Sequence, residues 1–200
     1  MSIKINNITP IQKLKIAKGL CDYQFIMENW QTDSEDFREV YYEFYLKTRW
    51  AVMRKKNNRT PYFQKLQSIS PTEDLVIIIE ELQEEMEKHN FEFSFCSKLL
   101  HTRNPSVPIY DSKVNSYLGK EENVEFWWAR SKDMYGSSAP RGTSKLDKIK
   151  HDWTNLCEWY NQFLQSSKGK EWIDWFDNNF PNHKNISNVK KVDFIIFATI

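Results

Sequence analysis

Apolar residues along this chain recur at spacings of three and four far more often than they alternate, and that period predicts helices. After Asp33-Ser34, the positions Phe37, Val40, Tyr41, Phe44 and Tyr45 predict an amphipathic helix to about Trp50 or Met53. Ser70-Pro71-Thr72-Glu73 reads as a capped helix start, with Ser70 as N-cap, Pro71 at the first helical position and Glu73 completing a capping box. That helix is expected to reach about Lys88, with Leu75, Ile78, Ile79, Leu82 and Met86 inward. Glu80, Glu81, Glu84, Glu85 and Glu87 then form a solvated acidic face. Trp153, Leu156, Cys157, Tyr160 and Leu164 mark another stripe, and Trp172, Trp175 and Phe176 a further one ending near Phe180-Pro181. Ser187 is placed to cap a last helix through Val189, Val192 and Ile196. The stretches Arg54 to Thr60 and Tyr135 to Ser144 read as loops. The expected fold class is all-α, one helical domain over 1–200.

Composition narrows the functions this fold can carry. Five glycines in 200 residues, the nearest pair being Gly136 and Gly142, leave no Gly-rich phosphate loop, dinucleotide fingerprint or nucleophile elbow. Cys21, Cys96 and Cys157 are widely spaced and the four histidines are scattered, so reduced thiols and no metal are expected. No apolar run approaches the roughly 20 residues of a membrane-spanning helix, and Met1 to Asn7 lacks an apolar signal core. The expectation is a cytoplasmic protein without a membrane partner and without a cofactor.

The net charge of +1, from 28 Lys+Arg against 27 Asp+Glu, conceals a sorting. Between Phe44 and Thr72 stand Lys47, Arg49, Arg54, Lys55, Lys56, Arg59 and Lys65 with no acid. Glu73 to Glu92 is strongly acidic, and Arg130 to Lys150 is basic again. Such basic stretches suit phosphate contacts, which position a protein on nucleic acid without reading its sequence.

The stretch Phe91 to Leu118 carries the most specific signal. Ser94 to His101 reads as a short helix whose first turn presents Ser94, Ser97 and Lys98. Asn104-Pro105-Ser106-Val107-Pro108 is a proline-stiffened connection, and Asp111 stands at the N-cap of a helix through Ser112, Val114 and Leu118. Val107-Pro108-Ile109-Tyr110-Asp111-Ser112-Lys113-Val114, with Ser94-Phe95-Cys96-Ser97-Lys98 upstream, resembles helix-hairpin-helix DNA glycosylases, in particular the 8-oxoguanine-glycosylase-like branch. The resemblance covers about 30 residues, with looser support from the C-terminal Val189-Lys-Lys-Val-Asp-Phe-Ile-Ile196 helix. It implies a two-lobed fold with a cleft between lobes, in which 70–150 holds the hairpin, the catalytic helix start and a basic loop. Asp111 would face the scissile N-glycosidic bond, and Lys98 would be the amine nucleophile of members that also cleave the strand. Where the family hairpin reads Gly-Val-Gly, this chain has Ser94-Phe95-Cys96.

The chemistry suits those residue types. Breaking an N-glycosidic bond develops positive charge on the sugar, which a carboxylate stabilises while it aligns or deprotonates water. A neutral amine at Lys98 would attack the same carbon and form a Schiff base, giving abasic-site lyase activity. Base flipping needs stacking surfaces and a wedge, for which Tyr110, Trp127, Trp128 and Arg130 are candidates, with Trp127 and Trp128 adjacent on a helix. Candidate DNA contacts are Ser94, Ser97, Arg103, Ser112 and Lys113, with Arg54, Lys55, Lys56 and Arg59 as a second group. The expected partner is double-stranded DNA with a damaged or modified base, in base-excision repair or in defence against modified phage DNA. Two other readings compete: a catalytically inactive helical DNA-binding module, favoured by the missing hairpin glycines, and a protein-interaction domain using the Glu-rich face.

Overall fold

The computed structural model describes residues 3–46, 56–85, 93–127 and 139–200, with 56–59 described by backbone alone. Among the described residues the chain is helical and contains no strand. Its α-helices are α1 (Pro10–Asn29), α2 (Glu35–Tyr41), α3 (Lys56–Ser68), α4 (Leu75–Glu85) and α5 (Phe93–Arg103), followed by α6 (Ser112–Glu121), α7 (Lys145–Gln165), α8 (Ser167–Asn179) and α9 (Asn188–Thr199). They form two compact units: Ala17–Pro105, and Met1–Ile16 together with Ser106–Ile200.

Helix starts follow from side-chain caps, not always where spacing puts them. Spacing does not mark α1, because the exposed Ile11 and Leu14 blur the stripe formed by buried Ile16, Leu20, Tyr23 and Ile26. Its start is nevertheless encoded as a capping box with proline at the first position. The Thr9 hydroxyl accepts from the Gln12 N–H (3.3 Å), and Gln12 Oε1 accepts from the Thr9 N–H (2.8 Å). The start expected at Ser70-Pro71 lies instead at Leu75. Asp74 is the cap, accepting from the Val76 N–H at 2.7 Å, while Ser70 to Glu73 closes a turn in which Glu73 accepts from the Ser70 N–H. An aspartate directly before the apolar run outcompetes a serine four residues earlier.

In the unit Ala17–Pro105, α3, α4 and α5 pack on one another. Buried Leu75, Ile78, Ile79 and Leu82 face inward from α4, as their spacing predicts; Met86 and Lys88 lie outside the described residues. The opposite face of α4 is not wholly solvated. Lys65, itself buried, forms ion pairs with Glu81 and Glu73, so one residue of the basic stretch neutralises the acidic one. The expected loop from Arg54 is corrected as well, since Lys56 to Thr60 begins α3. Lys, Asn and Arg are compatible with a helix turn, and the buried Tyr62, Phe63 and Leu66 downstream fix the helix.

The helix predicted after Ser34 is capped there, the Ser34 hydroxyl accepting from the Phe37 N–H. After Tyr41 it widens into a π-helical turn, Tyr42–Leu46, with Tyr42, Tyr45 and Leu46 buried. Trp50 and Met53 lie outside the described residues. A buried hydroxyl chain ties this helix to α3 and α5. Tyr41 and Tyr62 share a hydrogen bond of 3.2 Å, and Tyr62 donates to the Phe95 carbonyl at 3.1 Å. Burial pushes both phenols well above their usual range, so both remain neutral donors.

In the unit formed by Met1–Ile16 and Ser106–Ile200, α9 is the centre, packing against α6, α7 and α8. Ser187 caps it as expected, and Val189 through Ile196 are all buried, including Lys190, Lys191 and Asp193. Those charges are paired: Lys190 with Asp193 at 2.6 Å and Lys191 with Asp177 at 2.8 Å. The inward stripe of α7 is Ile149, Asp152, Leu156, Tyr160 and Phe163, with Trp153, Cys157 and Leu164 only half-buried. Between α7 and α8 the chain bends at Ser166, which caps α8 by accepting from the Gly169 N–H.

Gly169 is buried where the two helices meet, and a Cβ there would stand 1.9 Å from the Phe163 carbonyl oxygen. In an open helix, glycine to alanine stabilises by up to about 1 kcal/mol. Here Gly169→Ala is expected to destabilise by about 1–3 kcal/mol, as overpacking does, in urea unfolding followed by circular dichroism.

Candidate functional site

Asp111 is the N-cap of α6. Its Oδ1 accepts from the Lys113 N–H at 2.8 Å and the Val114 N–H at 3.4 Å, and the residue is half-buried. Both cap bonds use one oxygen, and Oδ2 makes no hydrogen bond among the described residues. A carboxylate arranged this way is fixed in direction by its cap while half of it stays available. Ser112 and Lys113 are exposed beside it, and the Lys113 ammonium lies 4.8 Å from the Phe197 ring of α9. One turn along α6, the Asn115 amide is buried without a hydrogen-bond partner among the described residues.

Two buried carboxylates, Asp193 and Asp152, belong among the described residues to the unit that holds Asp111. The buried Tyr160 hydroxyl has no hydrogen-bond partner among the described residues; burial pushes its pKa up, and the Asp193 and Asp111 carboxylates push it further. Asp193, held by Lys190, therefore lies within electrostatic reach of the same phenol as Asp111. The other is Asp152, fully buried on the inner stripe of α7. Its Oδ2 accepts from the Tyr110 hydroxyl at 2.8 Å, and its Oδ1 from the Trp127 backbone N–H at 2.5 Å. His151 Nδ1 stands 3.3 Å from that Oδ1, and the His151 ring is stacked flat on Trp127, centroids 3.4 Å apart at 3°.

The expected pocket residues sort accordingly. Tyr110 is buried, with its ring edge-on to Phe126 and its hydroxyl on Asp152. Trp127 lies in an irregular segment after α6, not on a helix, because its N–H is taken by a side chain and not by a carbonyl one turn back. Its indole Nε1 is buried without a hydrogen-bond partner among the described residues. Trp128 and Arg130 lie outside the described residues, as do Arg54 and Lys55; Lys56 and Arg59 are helical, with their side chains undescribed.

Lys98 belongs to the other unit, on α5. It is buried at 7% exposure, and its ammonium contacts the Ser94 hydroxyl at 3.1 Å and the Phe95 ring face at 5.6 Å. Ser94, Phe95 and Cys96, which stand where the family has its hairpin, form the first turn of α5, with Phe95 and Cys96 in the core. Ser97 is completely buried and donates to the Ser94 carbonyl, which leaves it no surface from which to meet a phosphate. Arg103 is engaged within its own unit, donating to the Ile69 carbonyl at 3.0 Å with its guanidinium 4.0 Å over Trp30.

Apolar spacing does not mark Asp152 and Asp193, and it marks Tyr160 only as a core position. The available signal was a charge on an apolar stripe: Asp152 stands three residues after Ile149 and four before Leu156, a position where an aspartate is retained only with partners. Among the described residues no helix is long and apolar enough to cross a membrane, and no group of three or more His, Cys, Asp or Glu is placed to hold a metal ion.

The cysteines differ sharply in environment. Cys21 is exposed, whereas Cys96 is fully buried with its thiol pushed up by burial, and burial and Glu158 push Cys157 up to about 12. Thiolate is the reactive form, so maleimide at neutral pH is expected to modify Cys21 in the native protein. Cys96 and Cys157 should react only after unfolding, as read by peptide mass spectrometry.

No family model, curated protein or solved structure matches this chain.

Proposed function

We propose that this chain is a cytoplasmic DNA glycosylase of the helix-hairpin-helix type, with two lobes and a cleft that receives a flipped, damaged or modified base. Asp111 hydrolyses the N-glycosidic bond, leaving an abasic site in duplex DNA, in repair or in defence against modified phage DNA. The observation that carries this reading is the half-used carboxylate: one Asp111 oxygen is held by the α6 cap, while the other makes no hydrogen bond among the described residues. That oxygen stabilises the developing oxocarbenium charge and orients the attacking water. Arg141, Lys145 and Lys150 are exposed on the unit that carries Asp111 and suit phosphate contacts. Trp127, stacked on His151, provides a rigid aromatic surface for a base. The buried amine of Lys98 serves as the nucleophile of the lyase step.

A specific observation favours a second reading, the catalytically inactive DNA-binding module. The segment Ser94 to Cys96 has no glycine to let a phosphate approach the backbone closely, and two of its three side chains are built into the core.

Incubation with duplexes carrying diverse modified bases, followed by detection of abasic sites, separates the two. The glycosylase reading expects base release by the wild type. Asp111→Asn should lower it at least about 100-fold while leaving salt-dependent duplex binding in place. Duplex binding without release from any substrate would leave only the module. Borohydride should trap a covalent adduct with the wild type and none with Lys98→Ala; an undiminished adduct in the variant removes Lys98 from the mechanism.

A further inference from the structure

Asp152 is a fully buried carboxylate whose partners come from three separate stretches of chain. Its own helix provides the flanking His151, 3.3 Å away. The connection before α6 provides the Tyr110 hydroxyl at 2.8 Å, and the segment after α6 provides the Trp127 N–H at 2.5 Å. The segment 125–127 is fastened to α7 at further points: Asn155 donates to the Glu125 carbonyl at 2.9 Å, and the Trp127 ring lies flat on His151. Phe126 meets the Tyr110 ring edge-on, closing the loop of contacts. Both ends of α6 are thereby referred to one buried atom pair.

Tyr110 directly precedes Asp111. Its backbone sets where the cap residue begins, and its side chain has little freedom with the ring packed and the hydroxyl bonded to a charged acceptor. Hydrogen bonds to a buried carboxylate are stronger than neutral ones, and an acceptor of this kind tolerates no unpartnered alternative. A group whose orientation must hold to a fraction of an ångström is best supported by such a contact.

We propose that Asp152 is a positioning residue for Asp111, holding the Tyr110 connection and the Trp127 segment in the one arrangement that aims the Asp111 carboxylate at its substrate. The proposal rests on the glycosylase reading for the word substrate, but its structural content does not. Asp152 touches no reacting atom in this scheme; it acts through Tyr110 and Trp127.

The test uses the full-length protein and two readouts. Tyr110→Phe removes one hydrogen bond without changing ring volume, and Asp152→Asn replaces an acceptor oxygen with a donor. The first readout is native-state amide hydrogen exchange at Lys113 and Val114, the two N–H groups that Asp111 caps. Loss of one hydrogen bond is expected to raise their exchange about tenfold in either variant, with amides of α8 unchanged. The second is base release: kcat should fall about tenfold, with the duplex dissociation constant unchanged and no further fall when the two substitutions are combined. Unchanged exchange at Lys113 and Val114 in Tyr110→Phe overturns the proposal, whatever happens to activity. So does a loss of activity that only follows the folded fraction in thermal unfolding. If the wild type releases no base, the glycosylase reading fails, and the exchange experiment still decides whether Asp152 holds the α6 cap.

Discussion

The constraint on which the second unit depends is that its last helix is buried almost all round yet carries charge. Along α9, Val189 through Ile196 have almost no exposure, and three of those residues are Lys190, Lys191 and Asp193. Burying an unpaired charge costs several kcal/mol, so each must find a partner before the helix can sit among α6, α7 and α8. Lys190 finds Asp193 within α9, and Lys191 finds Asp177 on α8. The second pair fixes the register of α9 against α8 in a way that Val, Ile and Phe contacts alone would not, since apolar contacts lack direction.

The same logic applies at the start of α6. Apolar packing brings Ile109, Val114 and Leu118 inside, and several rotations of the helix would satisfy that. Asp111 at the cap, Tyr110 on Asp152 and the Trp127 N–H on Asp152 select one of them. Polar groups thus carry the geometry in this unit, and apolar groups carry most of its stability. Chemistry at Asp111 would use that division of labour, because a reacting carboxylate needs a fixed direction more than it needs tight packing.

Much of the fold was legible in the sequence, for identifiable reasons. Strong stripes with one clear cap, such as Ser34 before Phe37 and Ser187 before Val189, marked helices that the structure contains. Failure came where two signals competed. At Ser70-Pro71 a complete capping motif lay four residues upstream of the true start, and only the position of Asp74 against the apolar run distinguishes them. At α1 a sound capping box was masked by exposed Ile11 and Leu14. At α7 the pattern was read one position off, because aromatic residues tolerate half-burial and Trp153 resembled a core residue while Asp152 did not. Asp111 was legible because a cap is a local feature of the chain. Asp152 was not, since the Tyr110 hydroxyl and the Trp127 N–H that it accepts from lie tens of positions away.

The two units also differ in how the chain supplies them. Ala17–Pro105 is one continuous stretch, whereas the other unit combines Met1–Ile16 with Ser106–Ile200 and is centred on α9. During synthesis, units generally fold as their residues emerge. The continuous unit has all its residues by Pro105, while Lys13 must wait for Asn179, its hydrogen-bond partner on α8. Until α9 emerges, the faces of α6, α7 and α8 that will enclose it have nothing to cover them. That interval, set by the order in which the ribosome delivers the chain, is when this protein is most exposed to aggregation.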